Sequence, residues 1–163
     1  MPKLREEEVT VQIDDAEIMY RNFEGRKGKM NPEGDRNFCV VVPDGEVENL
    51  QAQGWNVKWR DPKEEGELPT PYVPIKLGYV FKPPRVVLVT SAGKTPLTED
   101  TVKLLDLAEF KKVDLIFRNH DYDFNGMLGR KAYLKTMVVT IYEDELERRY
   151  GLNDAETLDG GDD

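Results

Sequence analysis

Val9, Val11 and Ile13 alternate with polar residues, and after a break at Asp14-Asp15 the apolar period resumes at Ala16, Ile18 and Tyr20. Side chains of a strand alternate between its faces, so this spacing predicts one long, bulged strand with its far end at Tyr20 to Phe23. Residues 24 to 35 carry three glycines and a proline, a composition that breaks regular structure and predicts an exposed, mobile loop. Arg36 to Val42 is again rich in β-branched residues and returns as a strand, so the loop closes a hairpin. Pro43-Asp44 should cap a short helix carrying Val47 and Leu50 on one face, with Gly54 at its stop.

Trp55 to Trp59 alternates as a further strand, and the Pro- and Glu-rich stretch from Arg60 to Pro71 reads as a surface loop. The strand pattern resumes from Tyr72 to Phe81 and breaks at Pro83-Pro84, after which Arg85 to Thr90 is a short strand of buried character. Thr98 is placed to cap a helix with Glu99 and Asp100 in its first turn and Val102, Leu104 and Leu105 facing inward. Val113 to Phe124 and Lys131 to Tyr142 flank Asn125-Gly126, a strong hairpin signal, with a loop extending through Gly129. Glu143 to Tyr150 offers at most a short charged helix. Asn153 to Asp163 holds no aromatic or β-branched aliphatic residue and is expected to be disordered.

The resulting order is hairpin, minor helix, bent and interrupted third strand, helix, hairpin. It predicts a mainly β fold with minor α content: a five-stranded OB-fold barrel with a helix between strands 3 and 4, over residues 1–150, followed by a disordered acidic C-terminal tail over 151–163. Sheet faces and loops of such barrels commonly bind oligonucleotides or oligosaccharides.

Composition supports one folded unit: 163 residues suit a single domain, and Leu, Ile, Val and Phe make up about a quarter of them. No apolar run approaches the ~20 residues of a membrane span, and the opening Met-Pro-Lys-Leu-Arg-Glu-Glu-Glu shows no secretory signal. Cys39 is the sole cysteine, which excludes an internal disulfide framework and fits a reducing cytoplasm. A net charge of −9 argues at first against a nucleic-acid partner. Residues 143 to 163, however, hold nine acids and two bases, whereas residues 1 to 142 hold 23 acids against 21 bases. The acidity is largely a property of the tail.

Several fragments resemble catalytic or metal motifs and fail on spacing. Ala92-Gly93-Lys94-Thr95 ends like a phosphate-binding loop, but its first glycine position is Leu88, so the segment reads as an ordinary turn before the helix. Asp121-Tyr-Asp123-Phe-Asn125-Gly126 opens like a calcium loop, but Ala132 stands where the bidentate Glu belongs. His120 is the only histidine and reads as a surface strand residue; Cys39, inside Phe38-Cys-Val-Val-Val42, reads as a small core thiol. No enzyme activity, metal or cofactor is implied.

The stronger pattern is aromatic residues interleaved with bases on strands, because single-stranded nucleic acid needs flat surfaces for stacking and cations for its backbone. Arg21-Asn22-Phe23 and Arg36-Asn37-Phe38 repeat one tripeptide at the two ends of a loop that carries Arg26, Lys27 and Lys29. Arg can grip phosphate, Asn can meet a base edge and Phe can stack under a base. The alternative is that both segments are structural strand ends with buried Phe. Trp59, Tyr79, Tyr122 and Tyr133 are further strand aromatics near Lys76, Arg118, Arg130 and Lys131. Arg118, His120 and Tyr122 share one strand face by the two-residue period, which makes Tyr122 a stacking candidate, whereas Trp55, Phe81 and Phe117 share parity with apolar neighbours and are expected in the core.

Tyr20-Arg-Asn-Phe23, Gly34-Asp-Arg-Asn-Phe38, Gly54-Trp-Asn-Val-Lys58, Val113-Asp-Leu-Ile116 and Lys131-Ala-Tyr-Leu-Lys135 resemble a group of bacteriophage OB-fold single-stranded DNA-binding proteins, over about residues 13 to 142. The resemblance implies a non-catalytic replication or recombination accessory that coats single-stranded DNA in the cytoplasm of an infected bacterium. The acidic tail resembles those through which such proteins recruit replication or recombination partners and compete with DNA for the basic groove. Asp154, Glu156, Asp159, Asp162 and Asp163 are its partner-binding candidates, although the chain ends Leu158-Asp-Gly-Gly-Asp-Asp163 with no terminal aromatic. A homodimer is compatible with this reading. The competing reading is an acidic interaction or inhibitor protein that mimics DNA and occupies a host factor, with Asp61 to Glu67 as its charged patch.

Overall fold

In the computed structural model, which describes residues 7–143, both halves of the first predicted strand form. They are β1 (Thr10–Ile13) and β2 (Ile18–Asn22), separated by Asp14 to Glu17, where Asp15 takes φ 54. The chain continues through β3 (Arg36–Val41), α1 (Val47–Ala52), β4 (Lys58–Arg60), β5 (Thr70–Leu77), β6 (Arg85–Thr90) and β7 (Gly93–Leu97). A 3-10 helix (Val102–Asp106) then leads into the longest strands, β8 (Glu109–Phe124) and β9 (Met127–Tyr142). The charged segment after Glu143 and the acidic tail lie outside the described residues.

The strands form one nine-stranded sheet along the path β1-β8-β9-β5-β3-β2, with β4 beside β5 and β6 between β7 and β9. β9 organises this arrangement. It is antiparallel to β8 over most of their length, parallel to β5 at Ile75–Ala132 and Lys76–Tyr133, and parallel to β6 from Arg85–Thr136 to Val89–Thr140. Alternation then sorts the side chains: Phe38 and Val40 of β3, Val73, Ile75 and Leu77 of β5, Val113, Leu115 and Phe117 of β8, and Ala132 and Leu134 of β9 all face one core. A register shift between Ile116 and Phe117 bends β8 within that core. No helix among the described residues is long and apolar enough to cross a membrane.

Several elements depart from the sequence expectations. Trp55 lies in no strand: it is buried edge-on against Phe117 at 4.8 Å, and only Lys58–Arg60 pairs. Neither Pro43 nor Asp44 caps α1; its N-cap is Glu46, whose side chain makes no capping bond. The expected helix after Thr98 is shortened to a 3-10 helix with Val102 and Leu105 buried and Leu104 exposed. Thr98 still orders its entry, since its Oγ1 accepts from the Asp100 backbone N–H at 3.2 Å. Ala92 to Thr95, expected as a plain turn, contains the start of β7, which pairs back on β6 from Thr90–Gly93 to Val86–Leu97.

The β8–β9 loop does not extend to Gly129. Asn125 and Gly126 take φ 53 and 83, the pair of positive values of a two-residue type I′ turn, and pairing begins at once with Phe124 opposite Met127. Phe81 is not in the core either. β5 ends at Leu77, Lys82 takes φ 56 ahead of Pro83-Pro84, and Phe81 is left 73% exposed.

Candidate nucleic-acid interface

Residues directly opposite one another on paired strands share a face of the sheet. Asn22 pairs with Asn37, Asn37 with Lys76, Lys76 with Tyr133, Tyr133 with Arg118 and Arg118 with Thr10. One straight row therefore crosses six strands. The residues of opposite parity beside it, among them Phe38, Ile75, Ala132 and Phe117, are the buried ones, so the row faces outward. Along β8 and β9 it extends through His120 opposite Lys131 and Tyr122 opposite Gly129.

This face alternates cations and rings. The Arg118 guanidinium lies 5.3 Å from the Tyr133 ring centroid, the His120 ring meets Tyr133 edge-on at 5.4 Å, and Lys131 Nζ lies 5.4 Å over Tyr122. Tyr122 is 44% exposed and lies across Gly129, where any Cβ would overlap its ring. The missing side chain of Gly129 thus gives the tyrosine its seat. A Cβ on Gly78 would come within 3.1 Å of Tyr133, so this glycine does the same for the second ring.

The basic loop borders the Asn22 end of the row, and it is a hydrogen-bonded structure rather than a slack connection. Asn22 Nδ2 donates to the Arg26 carbonyl at 3.0 Å while its Oδ1 accepts from the Arg26 N–H at 2.8 Å. Asn31 donates to the same Arg26 carbonyl at 2.9 Å, and Asn37 donates to Asn31 Oδ1 at 2.7 Å and to the Asp35 carbonyl at 3.0 Å. Asp35 in turn pairs with Lys76 at 3.0 Å. The asparagines of the repeated tripeptide therefore staple the loop. Arg26 lies 3.9 Å from Glu24, whereas Lys27 and Lys29 are exposed and make no ion pair among the described residues.

The rest of the repeat is structural as well. Phe23 and Phe38 are wholly buried and stack on each other at 5.1 Å, which takes both rings out of reach of a base. Arg21 donates to the Leu105 and Ala108 carbonyls at 2.8 and 2.7 Å and lies 4.4 Å over Phe110, tying β2 to the end of the 3-10 helix. Arg36 pairs with Glu99 at 3.1 Å. Arg130 grips both Asp121 oxygens at 2.7 and 3.0 Å, donates to the Gln53 carbonyl at 2.8 Å and lies over Trp55. These arginines are engaged within the protein, and the burial of both Phe rings corrects the expectation that they stack on DNA.

Trp59 is 49% exposed but pairs with Pro71, placing it on the opposite face of the strand from Lys58 and Tyr72. Tyr79 is half-buried; burial raises its pKa, and its buried hydroxyl has no hydrogen-bond partner. The hydrogen bond from Arg130 holds the Asp121 carboxyl below its usual pKa, so this pair stabilises the fold at any pH above the ordinary carboxylate pKa and loses that contribution as pH falls from there through the lowered one. Burial pushes the Cys39 thiol up to about 11, so it stays protonated and unreactive at neutral pH.

Sequence reading overlooked Tyr20, which sits at a register shift in β2 with φ 53, 54% exposed, its ring edge-on to Tyr72 at 5.7 Å. A non-glycine residue in that backbone region is uncommon, and no sequence signal beyond the expected bulge marks it.

The sequence matches, over residues 2–159, a family model described as "Putative phage ssDNA-binding domain". No match is found among curated proteins. Among solved structures, the chain is similar to the single-stranded DNA-binding protein of bacteriophage Enc34 in complex with ssDNA, with a TM-score of 0.56 at 9% identity over 83% of this chain and 88% of that one. The same Enc34 protein in a second structure gives 0.54 at 8% identity over 91% and 89%. A weaker likeness, 0.38 at 14% identity over 96% of each chain, is to gp2.5 of bacteriophage T7, a single-stranded DNA-binding protein.

Proposed function

The chain belongs to this family of phage ssDNA-binding domains, and we propose that it coats and protects single-stranded DNA with little sequence preference during phage DNA replication or recombination. The observation that carries this reading is the outward row Lys76–Tyr133–Arg118 with its extension through His120, Lys131 and Tyr122. Every base has a π-face, so rings on such a surface stack without regard to sequence, and the cations between them neutralise phosphates. Lys27 and Lys29 add charge at the loop end. The amides that could read a base edge, Asn22 and Asn37, are instead tied into the loop, which fits weak sequence discrimination. A DNA-mimicking inhibitor finds no support in a family named for binding ssDNA.

The pairing also supports a barrel. β1 and β2 are consecutive in the chain, yet β1 joins β8 and β2 joins β3, as expected if the sheet closes on itself in the OB manner. β1 with β2 would then be the first strand, β3 the second, β5 the third, β8 the fourth and β9 the fifth, with the 3-10 helix between the third and fourth.

Anisotropy of a labelled ~30-nucleotide poly-dT strand and a matched duplex tests the coating role, because exposed bases are needed for stacking. The strand should bind clearly tighter; equal binding would overturn the reading.

In the host cytoplasm, the tail acids Asp154, Glu156, Asp159, Asp162 and Asp163 would compete with DNA for the basic face and recruit replication or recombination proteins. Removing residues 151–163 deletes five acids and no base. That truncation should tighten DNA binding at low salt and matter little at high salt, where screening shortens the reach of the charges. Equal affinity of the two proteins at low salt would refute tail competition.

A further inference from the structure

Next to the Tyr133–Arg118 pair, where β5 gives way to the connection into β6, lies a cleft of about 410 Å³. Its walls include Tyr133, Tyr79, Phe81 and His120, and its cations are Arg118 and Lys82. A volume in the range of ~300–1,000 Å³ is that of small-molecule sites, which combine apolar or aromatic walls with a few polar groups.

Two features of this cleft have no packing explanation. Phe81 is a large aromatic left 73% exposed in a segment that the sequence assigns to the core. Lys82 takes φ 56 immediately before Pro83, a left-handed conformation disfavoured both for its side chain and for a residue preceding proline. Strain of this kind costs about 1–3 kcal/mol and persists mainly at functional segments. Here it turns the chain so that Phe81 stands out beside the cleft, with Lys82 Nζ 5.9 Å from its ring.

Resting on the ssDNA-binding reading, we propose that this cleft takes one unstacked nucleobase out of the bound strand. Tyr133 supplies the stacking surface continuous with the outer row, Phe81 covers the base from the connecting segment, and Arg118 and Lys82 meet the flanking phosphates. The sheet face then carries the strand as a sequence-tolerant track, and the cleft fixes its register by holding one base.

The test compares the full-length protein with Phe81→Ala on two probes, a poly-dT strand and an oligomer of equal length made of abasic sites, by anisotropy at one low salt concentration. Phe81 is exposed, so the substitution should leave the melting temperature unchanged. Phe81→Ala should weaken poly-dT binding about fivefold to hundredfold, the range of one lost base stack, and leave abasic binding unaltered. Equal poly-dT affinity for both proteins would overturn the cleft while leaving the ssDNA reading intact, whereas failure of the native protein to bind poly-dT would overturn both. Photocrosslinking with 5-iododeoxyuridine in the strand provides a second readout. An adduct on Tyr79 or Phe81 supports the cleft; adducts confined to the outer row, at His120, Tyr122 or Tyr133, contradict it.

Discussion

Phe38→Ala will destabilise the protein by about 3–5 kcal/mol, the usual cost of removing a fully buried phenylalanine. The ring is wholly buried, stacked on Phe23 at 5.1 Å, on a strand whose Val40 is equally enclosed. Truncation removes the stack and leaves a cavity that β-sheet neighbours cannot collapse into without breaking register. Against a typical total of about 5–15 kcal/mol, such a loss endangers folding itself. Phe38→Leu retains most of the volume, stays folded, and should bind single-stranded DNA as the native protein does, because the side chain at position 38 is wholly buried. Urea unfolding gives the first result and anisotropy the second. A loss under about 1 kcal/mol for Phe38→Ala, or a specific DNA-binding defect in Phe38→Leu, would contradict the structural assignment.

Tyr133→Ala will weaken binding to poly-dT by about fivefold to hundredfold while the protein remains folded. Tyr133 is opposite both Lys76 and Arg118, touches His120 edge-on, and lies where Gly78 leaves it room. It is therefore the ring around which the cations of the outer face are grouped. Tyr133→Phe retains the π-surface and should retain most of the affinity, which separates stacking from any role of the hydroxyl. Thermal melting of both variants checks the fold. A dissociation constant for Tyr133→Ala within about twofold of the native value would remove Tyr133 from the interface.

The strands were legible where alternation was long and the turn chemistry unambiguous. Lys131 to Tyr142 and the Asn125-Gly126 turn show both features, whereas the stretch from Val9 to Phe23, expected as one long bulged strand, divides at Asp14-Asp15 into β1 and β2, which pair with different neighbours. The period-two rule also placed Arg118, His120 and Tyr122 together on one face. It failed on short segments. Trp55 and Trp59 have strand-like spacing, but tertiary packing buries Trp55 against Phe117 and leaves only three residues to pair. Phe81 shares the parity of Leu77, but parity is meaningless once the strand has ended, and Lys82-Pro83 turns the chain outward.

The repeated Arg-Asn-Phe segments show a second limit. Their residue types suit DNA and suit a loop anchor equally well, and only partners decide between the two. Arg21 finds the carbonyls of Leu105 and Ala108, more than eighty positions away in sequence. Asn22 finds Arg26 nearby, and the two phenylalanines find each other. Arg130 likewise is bound to Asp121 across the β8–β9 pair. Long-range partners of this kind leave no local signature, so a chemistry-based reading assigns such residues to a ligand too freely. Of the cations on the outer face, Arg118 was distinguished by strand parity, whereas Lys131 was marked only by its nearness to aromatic residues in sequence.

The most direct test of the central claim is a salt series on a poly-dT strand for the native protein and Arg118→Ala, read by anisotropy. If the outer face neutralises phosphates, affinity falls linearly with salt on a double logarithmic plot, and Arg118→Ala lowers the slope by about one counterion. Parallel lines for the two proteins, or native binding that is insensitive to salt, would contradict the claim that single-stranded DNA runs along this face.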